Sequence, residues 1–509
     1  MFITQKLSLA DLLGDEYMNS VIRSAEFYGI TDKKEAERLA YEKTDLFPAE
    51  HQYADIKLLD KISSPVTPPF DNENSGAPTS AFAKAFHRNA APVGCFGCTR
   101  IGEDGKLYLI GKSEHYHASL GHMFNGYKLT DNARQLGIPN ATHNNTRGYI
   151  TRLCEREIIS AVNDGADADS VLKSRKPHIL NRVINLETGS LAAEAGVKLM
   201  LARFYRLDRT FSEPEHSGRI PVFLVVGDYD GTNEANYHGT TVLTQTFRGL
   251  WPDFYEGLEN NGIIKVVPVA INDLCDFREK LIFYNNGRFK TAGFIHEIIL
   301  MNYGAVRLSE AYLQAAYELC RDYDTPVMAD EIQSCMWYPG MLLHRLYNLD
   351  PDICILGKGF SGGEYPASKI ITTSELDSLN QFGALVTNGQ EEIASLAYLI
   401  TMRFASLNKT VIADNGYFFH QRLIEIASAH SHIITKIEGD GLLAGITFGS
   451  VETAAGFAHL LNDEYIDTSA QLYKVHCPPA VLFKPPVAAS REALAFICNK
   501  IEYILNKMH

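Results

Sequence analysis

Pro326-Val327-Met328-Ala329-Asp330-Glu331-Ile332-Gln333 and Ile353-Cys354-Ile355-Leu356-Gly357-Lys358-Gly359-Phe360-Ser361-Gly362-Gly363 decide the fold. Each opens on a short apolar run bounded by turn residues, the pattern of a strand buried on both faces. Each run ends in a charged side chain: Asp330 in the first and, 28 residues later, Lys358 in the second. A buried charge is costly unless it meets a partner. An acid and a lysine at neighbouring strand ends therefore point to a shared ligand. Pyridoxal 5′-phosphate has the matching chemistry, because its aldehyde takes a lysine as a Schiff base and its pyridine nitrogen takes a carboxylate.

Outward from these runs, residues 186–371 alternate strands with helical segments. Further strands are expected at 221–226, 263–267 and 293–300, with helices at 191–204 and 310–323 between them. That alternation predicts an α/β fold with a parallel sheet covered by helices on both faces. Residues 1–80 read as an extension, helical at 7–28 and 33–41 and ending in a proline-rich loop at 65–79. Residues 81–130 contain short strands, with Asp104-Gly105 marking a hairpin. This segment is expected to pack with a smaller α+β domain at 391–509, leaving 131–390 as the large domain. The smaller domain carries helical patterns at 393–407, 417–428 and 491–507.

The 509 residues are 46% hydrophobic and 21% charged, which is ordinary globular composition. A net charge of −14 argues against nucleic-acid binding. No apolar run approaches the ~20 residues of a membrane helix, and residues 1–16 lack the pattern of a signal peptide. The nine scattered cysteines read as reduced thiols in a cytoplasmic protein. Cys95-Phe96-Gly97-Cys98 has no second pair at zinc-finger spacing. His115-Tyr116-His117 would point to opposite faces of a strand, which favours a pocket or solvent role over chelation. No metal is expected.

Three further motifs surround the lysine. Thr188-Gly189-Ser190 begins a helix, where free N–H groups bind phosphate, although a cap is the plain alternative. Tyr237-His238 follows a loop at 227–236, and an aromatic ring there can stack on a planar cofactor. Gly357-Lys358-Gly359-Phe360-Ser361-Gly362 matches the dinucleotide pattern G-x-G-x-x-G, but Glu364-Tyr365-Pro366 interrupts the helix that pattern requires.

Taken in order, these motifs resemble the class III (subgroup II) pyridoxal-phosphate aminotransferases, the ornithine, acetylornithine and 4-aminobutyrate aminotransferase group, from about Arg100 to the C-terminus. The resemblance implies fold type I, with a mostly parallel seven-stranded sheet. It implies that Lys358 carries the cofactor and moves protons, that Asp330 meets the pyridine nitrogen, and that Gln333 lies near the phenolic oxygen. Thr188, Gly189 and Ser190 would hold the phosphate, with Tyr237 and His238 beside the ring. Thr387 would reach the phosphate of a neighbouring subunit, which implies a homodimer.

Other family features have changed. Asn302 stands for the second glutamate of E-P-x-Q-G-E-x-G, and Leu482 for the arginine three residues before Pro485-Pro486. Losing both members of that ion pair avoids a stranded buried charge. Cys335-Met336-Trp337-Tyr338 and Glu391-Glu392 also depart from the pattern. The expected activity is transfer of an amino group from an amine or amino acid to a keto or aldehyde acceptor. Racemisation, decarboxylation, aminomutation or elimination is the alternative. His115, Tyr116, His117 and Trp337 are the expected substrate residues, with Arg88 as another holder of a carboxylate. A large aromatic or amine-rich substrate is the expected fit.

Overall fold

The computed structural model describes residues 1–70, 74–229, 231–472 and 476–508, without the side chain of Asn144. Asp71 and Asn72 of the proline-rich loop, and Asp230 of the loop before Tyr237, lie outside the described residues. A seven-stranded sheet forms the centre. Numbered within it in chain order, the strands are β1 (Leu180–Leu186), β2 (Ile220–Val226), β3 (Lys265–Val269), β4 (Phe289–His296), β5 (Val327–Asp330), β6 (Ile353–Gly357) and β7 (Ser368–Thr373). Their spatial order is β1-β7-β6-β5-β4-β2-β3. Strand β7 runs against both neighbours, and the remaining pairs are parallel.

The apolar runs are continuous because both faces of the sheet are covered. In β2, Val222, Leu224 and Val226 pack into one core, while Phe223 and Val225 pack into the other. The helix Gly189–Leu201 follows β1 and the helix Glu310–Asp322 precedes β5. The latter is capped by Ser309, whose hydroxyl accepts from the Tyr312 N–H.

Two smaller sheets complete the molecule. Ile434–Asp440, Leu443–Phe448, Ala480–Phe483 and Ser469–Gln471 form an antiparallel sheet that packs against the helices Lys409–Ala429 and Val451–Asp463. Pro92–Phe96, Thr99–Gly102 and Leu107–Ile110 form an antiparallel sheet that Ile466–Asp467 joins in parallel. No helix among the described residues is long and apolar enough to cross a membrane.

Two local expectations change. The helix expected at 7–28 is two helices, Leu9–Leu13 and Asp15–Phe27. Gly14, with φ 84°, breaks it, a conformation only glycine adopts without strain. Ser8 and Asp11 cap the first helix reciprocally. The segment around His115 is not a strand. Ser113, Glu114, His115 and Tyr116 have φ values of 47°, 50°, 59° and 73°, a left-handed turn made by four non-glycine residues in succession.

Candidate active site

The residues that matter stand where strands end. Asp330 is the last residue of β5, and Lys358 directly follows β6. Thr188 follows β1, and Glu297 follows β4. These strands run in one direction, so their carboxyl ends share one edge of the sheet, the place where open α/β sheets bind ligands. Asp330 pairs in register with Ile355, which brings the carboxylate beside the lysine turn.

A cavity of about 260 Å³ opens at this edge. Thr188, Gly189, Ser190, Tyr237, Asp330, Gln333 and Lys358 all border it, as do Ile332, Glu297 and His117. The Lys358 ammonium lies 3.4 Å from Gln333 Oε1. Gln333 Nε2 in turn donates to Glu297 Oε1 at 2.7 Å. Burial lowers the Lys358 pKa to about 8, against the opposing pull of Glu297 and Asp330. An amine in that range exchanges protons readily near neutral pH. Asp330 is held from two sides: Oδ2 meets His238 Nδ1 at 2.8 Å, and Oδ1 accepts from the Ile332 N–H at 3.1 Å.

The start of the helix at Gly189 is shaped for close approach. Thr188 makes no side-chain capping bond, so the plain reading of this threonine as a cap is not realised and the first N–H groups remain available to an anion. A side chain at Gly189 would strike Ile332 Cδ1 at 2.3 Å. One at Gly239, where φ is 103°, would strike the Ser190 backbone at 2.6 Å. Glycine at both positions seals the Tyr237 loop and Ile332 against the helix start.

The remaining sequence candidates are distributed differently. His117 borders the cavity. His115 is exposed and stacks on Tyr116 with ring centres 4.9 Å apart. Tyr116 is buried, and its ring centre lies 5.0 Å from the Lys358 ammonium. Trp337 does not border the cavity. It is buried behind the lysine turn, where its Nε1 donates to the Pro485 carbonyl. Arg88 pairs with Glu103 away from the cavity. Thr387 is exposed and outside the wall of its own chain's cavity. Sequence reasoning passed over Glu297, although it follows an apolar strand as Asp330 ends one. It also passed over Lys484, whose ammonium donates to the Gln333 carbonyl.

These residues fit pyridoxal phosphate. The cavity joins a lysine, a fixed carboxylate and a helix start with available N–H groups, while Ile332 and the Tyr237 ring border it as surfaces for a flat ring. Comparison with known proteins agrees. The family model for class III aminotransferases matches residues 163–505. Putrescine aminotransferase of Pectobacterium atrosepticum is 26% identical over 331 residues, 63% of this chain and 65% of that protein. Ornithine aminotransferase of Plasmodium chabaudi chabaudi is 28% identical over 279 residues, 53% of this chain and 61% of that protein. The chain thus spans somewhat under two thirds of the length of these two curated relatives. Among solved structures, ornithine aminotransferase from Plasmodium yoelii superposes with a TM-score of 0.62 at 19% identity, covering 82% of this chain and 93% of its own. An adenosylmethionine-8-amino-7-oxononanoate aminotransferase from Methanocaldococcus jannaschii gives 0.66 at 18% identity, covering 85% and 96%. The fold is that of the type I pyridoxal-phosphate transferases.

Proposed function

The chain belongs to the class III aminotransferases, and from that premise we propose that it transfers an amino group from an amine or amino acid to a keto or aldehyde acceptor, using Lys358. The observation that carries this reading is the convergence of Lys358, Asp330 and the Thr188–Ser190 helix start on one cavity. When bound, pyridoxal phosphate supplies an aldehyde for the amine and a ring that accepts the electron pair left on the substrate carbon.

The chain's own residues do the rest. Lys358 Nζ would hold the cofactor and, once released, take the proton from the substrate carbon. Its lowered proton affinity leaves a useful share of free amine for that step. Asp330, fixed by His238 and the Ile332 N–H, would keep the ring nitrogen protonated. Gln333, tied to Glu297, orients the lysine. The N–H groups of Gly189 and Ser190 would receive the phosphate, with Tyr237 against the ring.

An amine panel tests the function. Single-turnover mixing with a true donor is expected to convert the visible absorbance of the lysine-bound cofactor to that of its amine form. Product formation without that conversion would favour the alternative chemistries.

We also propose a homodimer. Thr387 is exposed outside its own cavity, which supports its reaching a partner's phosphate. Light scattering is expected to give twice the 56.7 kDa of one chain. A fully active species at the single-chain mass would refute the dimer. We further propose a reducing, cytoplasmic setting, on the scatter of nine cysteines through a long chain.

A further inference from the structure

Thr387 and Asn388 are exposed, but the residues on either side of them are pinned. Val386 packs against the core that contains Leu186 and Ala192. Gly389 is buried with φ 104°, and a Cβ there would lie 3.0 Å from the Leu186 backbone. Only glycine allows so close an approach in that conformation. Leu186 is the last residue of β1 and stands just before Glu187 and Thr188. The loop that carries Thr387 therefore rests on the strand end that opens this chain's own cavity.

Side chains fasten Gly389 and the residues after it one by one. Lys369, in β7, is buried, and its ammonium donates to the Gly389 carbonyl at 2.7 Å. The Gly389 N–H donates to Glu391 Oε2 at 2.8 Å. The Gln390 carbonyl accepts from the hydroxyls of Thr142 at 2.6 Å and Thr151 at 3.1 Å. Glu392 is buried, and its carboxylate accepts from the N–H groups of Ile150 and Thr151 at 2.8 and 3.1 Å. It thereby caps the helix Tyr149–Val162, whose own N-cap residue, Gly148, has no side chain to offer. The loop leaves Thr387 through a run of residues that are all held.

The means are unusual for a strand covered on both faces. Ile370 and Ile371 beside Lys369 show what such a strand ordinarily carries. A buried ammonium is unfavourable unless something specific offsets its desolvation. Burial lowers the Lys369 pKa to about 8, against the pull of Cys154 and Glu391. Glu391 and Glu392 are also places where this chain departs from the family pattern, and both carboxylates are used to hold this one loop. A loop whose backbone is already fixed loses less freedom when its tip makes a contact, so the contact binds more tightly.

We propose that Lys369 and Glu391 are positioning residues that grip Gly389 from its two sides and so present Thr387 to the cofactor phosphate of the partner subunit. This rests on the homodimer reading of Thr387 and deepens it, because the grip of that threonine then depends on a buried cation and a carboxylate of its own chain. Neither residue borders this chain's cavity, so each acts through the loop alone. The Gly389 carbonyl and N–H are engaged at once, one by Lys369 and the other by Glu391. That fixes the orientation of the peptide units on both sides of Gly389, and Thr387 stands two residues upstream.

The test titrates the full chain, freed of cofactor, with pyridoxal phosphate and separately with pyridoxal, which lacks the phosphate. Binding is read from the visible absorbance of the lysine-bound form. Thr387→Ala is expected to lose about 10- to 100-fold in affinity for pyridoxal phosphate, the worth of a hydrogen bond to a charged group, and nothing for pyridoxal. Lys369→Met and Glu391→Ala are each expected to lose about 10-fold for pyridoxal phosphate alone. Glu391→Gln keeps an acceptor for the Gly389 N–H and should stay near wild type. Adding Lys369→Met to Thr387→Ala should cost nothing further, since the loop then has no hydroxyl to present. Equal losses for both cofactors, additive losses in the double variant, or wild-type affinity in Lys369→Met and Glu391→Ala would overturn the proposal. Glu391 is only half-buried, so its variant decides the matter if Lys369→Met folds poorly. Wild-type affinity in Thr387→Ala would instead overturn the reading of Thr387 on which the proposal stands. A wild type that takes up no pyridoxal phosphate would overturn the aminotransferase reading itself.

Discussion

Lys358→Ala is expected to reduce amino transfer by at least about 10⁴-fold, the upper end of what a positioned acid–base group contributes, while leaving the fold intact. The lysine is half-buried, and its amine makes a long contact, 3.4 Å to Gln333 Oε1. Removing it therefore strands little. The neighbouring Gln333 remains fixed by Glu297. The substitution deletes both the group that holds the cofactor and the base that moves the proton, so added amines are expected to rescue only a small part of the rate. A second readout separates this role from a structural one. Borohydride should fix pyridoxal phosphate to wild-type protein at Lys358 and to nothing in the variant, as read by peptide mass spectrometry. Label recovered in Lys358→Ala, whether at Lys369, Lys484 or elsewhere, together with retained activity would refute the assignment.

The sheet and the cofactor edge were legible because their signals are local and physically forced. A strand covered on both faces must be apolar throughout, and β5 and β6 are; a charge at its end must then face something that needs it. That argument located Asp330 and Lys358 and, applied evenly, would have found Glu297 after β4. Lys484 escaped it because the strand it follows lies in a different sheet, and nothing in Ala480-Val481-Leu482-Phe483 announces that its end meets Gln333. The left-handed turn at 113–116 was illegible for a stronger reason. Of the residue types there only histidine favours positive φ, and the turn is fastened from outside by Arg100, His122 and Lys484. Trp337 was expected at the substrate because the family resemblance places its stretch near the cofactor's substrate face; the Gly359 backbone leaves room for its ring behind the lysine turn instead, where a Cβ would lie 2.1 Å from it.

Glu331→Ala is expected to be the most destabilising single change in the neighbourhood of the site, by about 3–5 kcal/mol, the range for breaking a buried charged pair from one side. Glu331 sits beside Asp330 but points the other way, into the protein, and is fully buried with His344. Four donors converge on its two oxygens. The N–H groups of Leu343 and His344 donate at 2.8 and 2.7 Å, the Ser334 hydroxyl at 3.0 Å, and His344 Nδ1 lies at 2.5 Å. Cys354 Sγ lies 3.9 Å from the same His344 nitrogen, but the carboxylate is already saturated, so this cluster is a hydrogen-bond knot. Alanine would leave two backbone N–H groups and an imidazole unsatisfied in the core, each at a cost of about 1–3 kcal/mol. The pH dependence follows from the carboxyl group itself. Burial alone would raise its pKa, but the bonds from His344 and the backbone outweigh that and hold it below the ordinary value. A depressed acid contributes stability that is complete above its unfolded pKa, ~4.3, and is lost as pH falls through the folded value. Urea unfolding at pH 7 should therefore separate wild type and variant by the full amount, and the separation should shrink on acidification below pH 4. A gap that stays constant down to the acid limit of folding would mean that the knot owes its strength to packing rather than to the charge of Glu331.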